Sequence, residues 1–378
     1  ASSFAAVAAK RPNHSVPVDL YLEGSDQHRG WFHSSLLVAT ATRGHSPYKA
    51  CLTHGFVVDG AGKKMSKSEG NVVAPEDIIK QHGAEVLRLW VASSDYRDDV
   101  RLSKGILDTL AEGYRKIRNT LRYALSNLYD FDPAKDAVAT LEPLDQWAVW
   151  KLDALLATVK KAYEAYELHA VYHAIIDFCA VELSSVYFDI QKDTLYTRKK
   201  TGVARRSAQT ALYRIARELL IALAPITSFT SEEAWQHLPG DKAKSVFLTD
   251  FPLPSARVDA AVMADYEKLF EVRRGVLPLL EAARRDKRIG KSLEARVELV
   301  TEAGPWRELL TKYRDVLPEL FIVSQVELSD TSADAQPVVT GVRGAVHAAH
   351  GHKCPRCWAF RPEVPAQPLC TRCTEATS

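Results

Sequence analysis

The chain has 378 residues, of which 46% are hydrophobic and 25% are charged. These values are typical of a soluble globular protein with two or three domains. The sequence shows no apolar run of bilayer length and no secretory or lipidation signal, so we expect a cytoplasmic protein without a membrane partner. A formal net charge of +2 is too small to establish a nucleic-acid partner, which leaves the distribution of charge as the better guide.

The first part of the chain alternates strand-like and helix-like segments. Residues 18–23 (VDLYLE) alternate apolar and polar side chains and lead into a turn at Gly24, after which apolar residues recur at helical spacing. A second strand is predicted over 50–58, and a later helix begins at Pro75 and breaks near Gly83. We therefore predict that residues 1–95 form part of a parallel α/β domain.

Long amphipathic helices are predicted from residue 96 onward. Between Ile106 and Leu128, apolar side chains repeat at intervals of three and four. Thr230 and Glu233 match a capping box at the start of a later helix. Further helices are predicted at 144–166, 171–190 and 208–223. The pattern indicates an all-helical bundle over residues 96–250.

A second change of pattern follows a linker around residues 250–254. One helix is predicted at 262–285, two strands at 294–300 and 321–328, and irregular structure at 329–340. This order indicates a small α/β junction module over 251–340. Residues 341–378 then form a tail that contains four cysteines.

These cysteines form two Cys-x-x-Cys pairs, which are Cys354, Cys357, Cys370 and Cys373. The spacing predicts one tetrahedral zinc site with a structural role, because four thiolates leave no open position on the metal. Disulfides are the alternative, and a cytosolic location disfavours them. Cys51 and Cys179 have no partner at metal-binding spacing, so we expect both to be buried as small hydrophobic residues.

The loop after the second predicted strand carries two lysines three residues apart. They belong to the string KMSKS, formed by Lys64, Met65, Ser66, Lys67 and Ser68. A loop of this kind, flanked by glycines, can fold over a triphosphate and stabilise charge at the α-phosphate during reaction. By composition alone, an exposed basic turn is the more common explanation of the string.

KMSKS is also the signature of class I aminoacyl-tRNA synthetases, and it lies after a strand and before a helical region, as in that family. Other segments resemble isoleucyl-tRNA synthetases in particular: LEGSDQHRGWF (Leu22–Phe32), THGF (Thr53–Phe56), GAEVLRLWVASSDY (Gly83–Tyr96), YRKIRNTLRY (Tyr114–Tyr123) and CPRCW (Cys354–Trp358). Valyl, leucyl and methionyl members share KMSKS but differ around GSDQHRGWF and lack this cysteine pattern. The resemblance covers essentially the whole chain.

The resemblance implies a partial Rossmann-like catalytic domain, a helical anticodon-binding bundle and a zinc knuckle, and it assigns roles to individual residues. Lys67 should be the principal contact of ATP, with Lys64 assisting, and the ATP should be bound together with Mg²⁺. The isoleucyl-adenylate should contact Glu23, Gly24, Asp26, Gln27 and Trp31, although Trp31 is alternatively a core aromatic. The adenine should lie beside His54, Gly55 and Phe56.

Arginines are the candidates for contact with tRNA. Arg115, Arg118 and Arg122 share one stripe of a predicted helix, which suits contact with backbone phosphates but also suits a solvated face. Arg284 and Arg285 lie in a basic cluster with the same two interpretations. Arg356 and Arg372 lie one inside each Cys-x-x-Cys pair, where each could meet a phosphate or a base.

We expect the whole enzyme to activate isoleucine with ATP, to transfer it to tRNA(Ile), and to act as a monomer. The sequence starts with Ala1 and contains no HIGH motif and no editing insertion, so this chain is expected to be a C-terminal portion that is inactive alone. One alternative is a non-catalytic tRNA-binding paralogue, and another is one half of a split synthetase. A zinc-ribbon protein that binds other nucleic acid would leave the segment Leu22–Asn71 unexplained.

Overall fold

The computed structural model describes residues 10, 16–66, 68–254, 258–364 and 368–378. These residues divide into two compact units. The first contains the described residues up to Arg115 together with Lys161–His173, and the second contains Lys116–Lys160 together with Ala174–Ser378. The four domain boundaries expected from the sequence remain predictions.

The first unit contains two pairs of parallel strands. Strand β1 (Val18–Gly24) pairs with β2 (Tyr48–His54), and β3 (Val57–Asp59) pairs with β4 (Val100–Leu102). The strand predicted over 50–58 is therefore two strands. They separate at Gly55 and Phe56, because the Gly55 N–H turns away from the first pair and donates to the Tyr96 carbonyl at 2.9 Å.

Three helices accompany these strands: α1 (Trp31–Arg43), α2 (Pro75–His82) and α3 (Ala84–Ser93). Helix α2 begins at Pro75 and ends at Gly83, as predicted, because Gly83 adopts a positive φ of 85°. The prediction that Cys51 is buried is wrong. Its thiol lies on β2, which has β1 as its only strand partner in the described part of the chain, and it is exposed.

Long helices dominate the middle of the chain, as the apolar periodicity predicted. They are α4 (Lys104–Ser126), α5 (Pro143–Glu164), α6 (Leu168–Thr197), α7 (Val203–Leu223) and α8 (Ser228–Gln236). Within α6, residues Phe178–Tyr187 form π-helical turns, which the sequence pattern does not show. The prediction of a capping box at Thr230 and Glu233 is wrong, because α8 begins earlier and its N-cap residue is Thr227.

Helix α6 corrects the expectation that no segment is long and apolar enough to cross a membrane. Among the described residues it is the one helix that meets this test by length and composition. Its apolar side chains recur on one face, where Val171, Ile175 and Leu183 are at most 1% exposed. Burial of this face within the protein therefore explains why α6 is both long and apolar.

The C-terminal part of the second unit contains a four-stranded mixed sheet. Its order is β6 (Gln325–Ser329), β5 (Ala295–Val300), β8 (Val342–Ala348) and β7 (Gln336–Val339), with α9 (Ala260–Arg285) preceding it along the chain. The predicted strand 321–328 begins too early, because Phe321 ends a short helix, Leu317–Phe321, and the next residue has a positive φ. Strand β7 lies where irregular structure was predicted.

A buried carboxyl joins three helices of the second unit. Asp145 on α5 has no exposed surface and accepts hydrogen bonds from Tyr187 (2.6 Å), Gln191 (2.7 Å) and Ser207 (2.5 Å). Burial raises the pKa of Asp145 to about 7, although the hydrogen bonds from Ser207 and Tyr187 act in the opposite direction. No arginine or lysine neutralises this carboxyl among the partners that the structure shows.

This pKa predicts a pH-dependent contribution to stability. In the unfolded chain the pKa of an aspartate is about 3.9, so the folded state holds the Asp145 proton more tightly. The stabilising contribution is complete below pH 4 and is lost as the pH rises through about 7. Chemical unfolding at a series of pH values should therefore show that wild type loses stability relative to Asp145→Asn over this range.

The control is Asp95→Asn, whose effect should have the opposite sign. A hydrogen bond from Arg97 lowers the pKa of Asp95 to about 2, so its contribution is present above pH 4 and is lost as the pH falls towards 2. A difference between wild type and Asp145→Asn that stays constant from pH 4 to pH 8 would contradict the assignment.

Candidate functional site

The carboxyl ends of β1 and β2 bring two distant segments of the sequence together. The parallel register pairs Glu23 with Thr53 and Gly24 with His54. The turn after Gly24 and the turn after His54 therefore lie at the same edge of the strand pair. In open α/β sheets, ligands bind outside the carboxyl ends of parallel strands, so this edge is the first candidate site.

The turn after β1 is ordered by hydrogen bonding and ring stacking. Residues Ser25–Arg29 form a short 3₁₀ helix, and the side-chain oxygen of Gln27 accepts from the Trp31 backbone N–H at 2.8 Å. The Trp31 ring stacks on Tyr21, with ring centroids 4.2 Å apart and planes inclined by 13°. Trp31 thus packs against the strand while remaining partly exposed, and the Glu23 and Asp26 side chains are exposed at the same edge.

A close backbone approach explains the glycine after β2. A side chain at Gly55 would place its Cβ 2.3 Å from the Asp98 carbonyl oxygen, a distance that atoms do not tolerate. The next residue, Phe56, donates its N–H to the Asp99 carboxylate at 2.8 Å and leaves its ring 40% exposed. The segment His54–Phe56 is thereby fixed, with an accessible aromatic face next to the strand ends.

The KMSKS loop returns to this exposed ring. The Lys64 ammonium lies 5.0 Å from the centroid of the Phe56 ring, a cation–π contact. Lys64 also forms an antiparallel bridge with Val58 on β3. Lys67, the predicted principal contact of ATP, lies outside the described residues. The structure thus places Lys64 beside the segment that the resemblance assigns to adenine.

Two polar side chains that the sequence analysis did not single out organise this loop. Asp59 accepts hydrogen bonds from the Ala61 and Lys63 backbone N–H groups and from the Asn71 side chain. These hydrogen bonds, that of Asn71 first, lower the pKa of the Asp59 carboxyl. Asn71 also accepts from the Ser66 N–H at 2.9 Å. The sequence signal that could have identified Asp59 is an aspartate at the end of a β-strand, directly before a Gly-rich loop.

The four tail cysteines form one compact cluster. Their sulfur atoms lie within 4.8 Å of one another, and the Cys357 and Cys370 sulfurs are 3.7 Å apart. Tetrahedral zinc–thiolate bonds of about 2.3 Å place two sulfurs about 3.8 Å apart, so the spacing fits a metal ion. All four residues are buried. The cluster can therefore hold one metal ion without an open coordination position.

The thiol pKa values differ within the cluster. Burial raises the pKa of Cys357 and also that of Cys370, the latter to about 12. For Cys354, burial also acts to raise the pKa, but backbone N–H groups of Cys357, Cys370 and Arg356 outweigh it and lower the value to about 6. A divalent cation would relieve the mutual repulsion of thiolates that are otherwise costly to form together.

Both knuckle arginines are engaged by helix α6. Arg372 forms a bidentate ion pair with the Asp193 carboxylate and also donates to the Thr197 hydroxyl at 3.2 Å. Arg356 donates to the Thr197 carbonyl and lies 3.6 Å from the Cys373 sulfur. The two guanidinium groups therefore hold the cysteine knuckle on the end of α6, and a role in tRNA binding for either one stays a prediction.

The remaining candidate arginines differ in their surroundings. Arg118 and Arg122 line a groove of about 410 Å³ together with Thr230, Glu233 and His237. Arg115 forms an exposed ion pair with Glu112 at 2.5 Å. Arg284 pairs with Glu281 and donates to Ser292, whereas the Arg285 side chain is 80% exposed.

A larger groove, which the sequence analysis missed, lies between α6, the edge of the four-stranded sheet and the cysteine knuckle. Its volume is about 960 Å³, and its lining includes Tyr196 and Trp358, whose side chains are 60% and 55% exposed. The ammonium groups of Lys291 and Lys353 each lie 5.6 Å from the centroid of the Trp358 ring. The sequence signal that could have indicated this groove is a tryptophan, Trp358, directly after the second cysteine of the tail.

Comparisons with known proteins agree with these features. Residues 2–103 match the family described as tRNA synthetases class I (I, L, M and V), and residues 145–299 match the anticodon-binding domain of tRNA ligase. The isoleucine–tRNA ligase of Syntrophotalea carbinolica is 54% identical over 98% of this chain. The chain belongs to the isoleucine–tRNA ligase family. The enzymes of Natranaerobius thermophilus and Thermotoga maritima are 48% and 46% identical over 99% and 98% of the chain.

The match covers only part of each isoleucine–tRNA ligase. The chain spans 41% of the length of the Syntrophotalea and Thermotoga enzymes and 42% of that of the Natranaerobius enzyme. Among solved structures, a leucyl-tRNA synthetase of Agrobacterium radiobacter, in a ternary complex with tRNA and LeuAMS, matches 88% of this chain and 38% of its own chain. The TM-score is 0.51 and the sequence identity 15%, so this likeness concerns the fold alone.

The close approach at Gly55 predicts a specific sensitivity to substitution. Gly55→Ala should lower the free energy of unfolding by about 1 to 3 kcal/mol, because the added methyl group collides with backbone atoms that cannot move independently. Gly105→Ala is the control, since a Cβ at this helical glycine would have no neighbour within 4 Å. Chemical unfolding should show a loss for Gly55→Ala and none for Gly105→Ala, and equal effects would contradict the geometry.

The cysteine cluster predicts a metal stoichiometry of roughly one ion per chain. Cys370→Ser should abolish tight binding, because it removes one of four ligands, whereas Cys51→Ser, at an exposed position in the first unit, should leave it unchanged. Metal binding by the two variants is measured by elemental analysis and by the sulfur-to-metal absorbance of the cobalt-substituted protein. Retention of a full metal equivalent by Cys370→Ser would contradict the four-thiolate site.

Proposed function

We propose that this chain is the ATP- and tRNA-handling portion of an isoleucine–tRNA ligase, which activates isoleucine with ATP to form isoleucyl-adenylate and transfers the isoleucyl group to tRNA(Ile). The observation that carries the proposal is the meeting of three motif segments at one edge. The turns after Gly24 and His54 are adjacent through the strand register, and Lys64 lies over Phe56. A site assembled from separate segments is harder to explain as an exposed basic turn.

In the activation step, the isoleucine carboxylate attacks the α-phosphorus of ATP, and pyrophosphate leaves. The attacking carboxylate is already ionised, so this step requires no general base. What it requires is positive charge at phosphate oxygens, which Lys64 and Lys67 would supply together with the Mg²⁺ that accompanies ATP. Glu23, Gly24, Asp26, Gln27 and Trp31 would bind the adenylate, and His54, Gly55 and Phe56 would contact adenine.

The HIGH motif and the editing insertion of the family do not occur in this sequence. We propose that the whole enzyme carries both parts, in the length of the relatives that this chain does not span. The chain alone should therefore bind tRNA but show no isoleucine-dependent exchange of pyrophosphate into ATP. We propose that the assembled enzyme acts as a monomer in the cytoplasm.

The second unit offers surfaces suited to tRNA. The large groove presents the aromatic faces of Tyr196 and Trp358, and the two lysines beside Trp358 can meet phosphates while a base stacks on the ring. Several acidic groups of this groove are paired internally, including Asp193 with Arg372 and Glu319 with Arg198. Their pairing reduces the repulsion that a polyanion would otherwise meet.

A second contact with tRNA is proposed at the smaller groove. Arg118 and Arg122 line it from helix α4, and His237 lines it from the end of α8. Such a groove fits a backbone phosphate, which fixes the register of RNA without reading its sequence. Arg115, Arg284 and Arg285 would add to the positive surface without making a specific contact.

The metal in the cysteine cluster is proposed to be zinc with a structural function. Its thiolate ligands and tetrahedral spacing favour zinc among common metals, and the buried cluster has no position for substrate. When bound, zinc would hold the knuckle and so fix Trp358, the residue that directly follows Cys357.

A chimera tests the activity. This chain replaces the matching 41% of the Syntrophotalea carbinolica enzyme, to which it is 54% identical. The chimera should catalyse isoleucine-dependent ATP–pyrophosphate exchange, and Lys64→Ala or Lys67→Ala should lower kcat by roughly 100-fold, the usual effect of losing one transition-state charge contact. A folded chimera that activates no amino acid, combined with tRNA binding by the chain alone, would favour the non-catalytic paralogue.

The aromatic groove predicts the effect of one substitution on tRNA binding. Trp358→Ala should weaken binding of tRNA(Ile) to the chain by about 1 to 3 kcal/mol, because one stacked base loses its partner. Phe247→Ala is the control, since Phe247 is also an exposed aromatic residue of the second unit but does not line the groove. Fluorescence titration at fixed salt measures both variants, and equal affinities for both would exclude the groove as the tRNA surface.

A further inference from the structure

The KMSKS loop is closed at its base by a contact between two side chains. The Asn71 side-chain nitrogen donates to Oδ2 of Asp59 at 2.9 Å, across twelve positions of sequence. Asp59 is the last residue of β3, and Asn71 follows the glycine that ends the loop. We call this contact, together with the backbone hydrogen bonds of the same two side chains, the Asp59–Asn71 latch.

Each side chain of the latch uses both of its polar atoms. The other oxygen of Asp59 accepts from the Ala61 N–H at 3.0 Å and from the Lys63 N–H at 2.9 Å. The Asn71 oxygen accepts from the Ser66 N–H at 2.9 Å. Position 59 therefore requires a group that only accepts, and position 71 requires a group that accepts and donates.

The latch has hydrogen bonds on both sides of the described lysine of the motif. Lys64 stands between two of the three backbone N–H groups that the latch holds, those of Lys63 and Ser66. Its carbonyl also lies 3.4 Å from the Asn71 nitrogen, and its backbone bridges to Val58. These contacts hold the Lys64 backbone beside β3, and its ammonium group lies over the Phe56 ring.

We propose that Asp59 and Asn71 are positioning residues for amino-acid activation, and that their latch holds Lys64 and Ser66 against the segment His54–Phe56. This inference rests on the proposed function and deepens it. Neither side chain needs to touch ATP. They act by removing the conformational freedom of a glycine-containing loop before the substrate arrives, so that less free energy is lost when the lysine meets phosphate.

The donor and acceptor requirements permit a swap test. In Asp59→Asn, a new amide nitrogen faces the amide nitrogen of Asn71, and flipping Asn71 would only move the conflict to the Ser66 N–H. In Asn71→Asp, two carboxylates face each other. In the double variant Asp59→Asn/Asn71→Asp, the new amide at position 59 can donate to the new carboxylate at position 71, which still accepts from Ser66.

Amide hydrogen exchange in the chain itself measures the latch without any need for catalysis. Each single variant should accelerate exchange of the Ser66 N–H by roughly ten- to a hundredfold, because it disrupts the hydrogen bond between positions 59 and 71 that orients the acceptor of this N–H, a bond to a charged group in the wild type. The double variant should return the rate to about threefold of wild type or less. Glu69→Gln is the matched control, because it removes an exposed ion pair with Lys63 in the same loop and should not change this rate.

Kinetics in the chimera then test positioning. Each single variant should lower kcat of isoleucine-dependent pyrophosphate exchange at least tenfold while leaving the KM for isoleucine unchanged, and the double variant should recover most of kcat. A merely structural role would lower the unfolding midpoint but leave kcat of the folded fraction unchanged, and it would not produce recovery in the double variant.

The outcomes separate failure of the latch from failure of the proposed function. Unchanged exchange of the Ser66 N–H in both single variants would overturn the latch. Accelerated exchange with unchanged kcat would overturn the positioning role. If Lys64→Ala and Lys67→Ala also leave kcat unchanged, the function proposed for the loop fails instead. The inference is supported only when exchange and kcat follow the same pattern of loss and recovery.

Discussion

The candidate site depends on the parallel pairing of β1 with β2. Parallel strands cannot be joined by a tight turn, so the chain crosses over through helix α1 and returns with the same direction. This direction places the turn after Gly24 and the turn after His54 at one edge, although they are thirty residues apart. An antiparallel pairing would put the two segments at opposite ends of the strands, where they could not share a ligand.

A second constraint acts in the C-terminal part of the chain, where positive charge is used internally. The arginines of the cysteine knuckle looked suited to phosphate because they are basic and lie next to a metal-binding motif. In the structure they meet Asp193 and Thr197 of α6, and Arg356 approaches the Cys373 sulfur. A four-thiolate metal site carries a net negative charge, so nearby guanidinium groups stabilise it whether or not RNA is present.

The sequence predicted those features that local patterns determine. Apolar periodicity located the long helices, Pro75 and Gly83 bounded α2, and the cysteine spacing predicted the compact cluster. The sequence did not predict features that contacts between distant residues decide. The break at Gly55 depends on the backbone of residues 96–99, and the docking of the knuckle depends on an ion pair between positions 193 and 372. No window of neighbouring residues contains that information.

The KMSKS loop shows how geometry and chemistry can be encoded separately. The latch holds the backbone N–H groups of Ala61, Lys63 and Ser66, and these groups are present whatever side chains those positions carry. The ammonium group of Lys64 contributes nothing to the latch, since only its carbonyl takes part. The shape of the loop therefore depends on two residues outside the five-letter motif, while the charge depends on residues within it. A family signature identifies the charged groups, and only the structure identifies the side chains that position them.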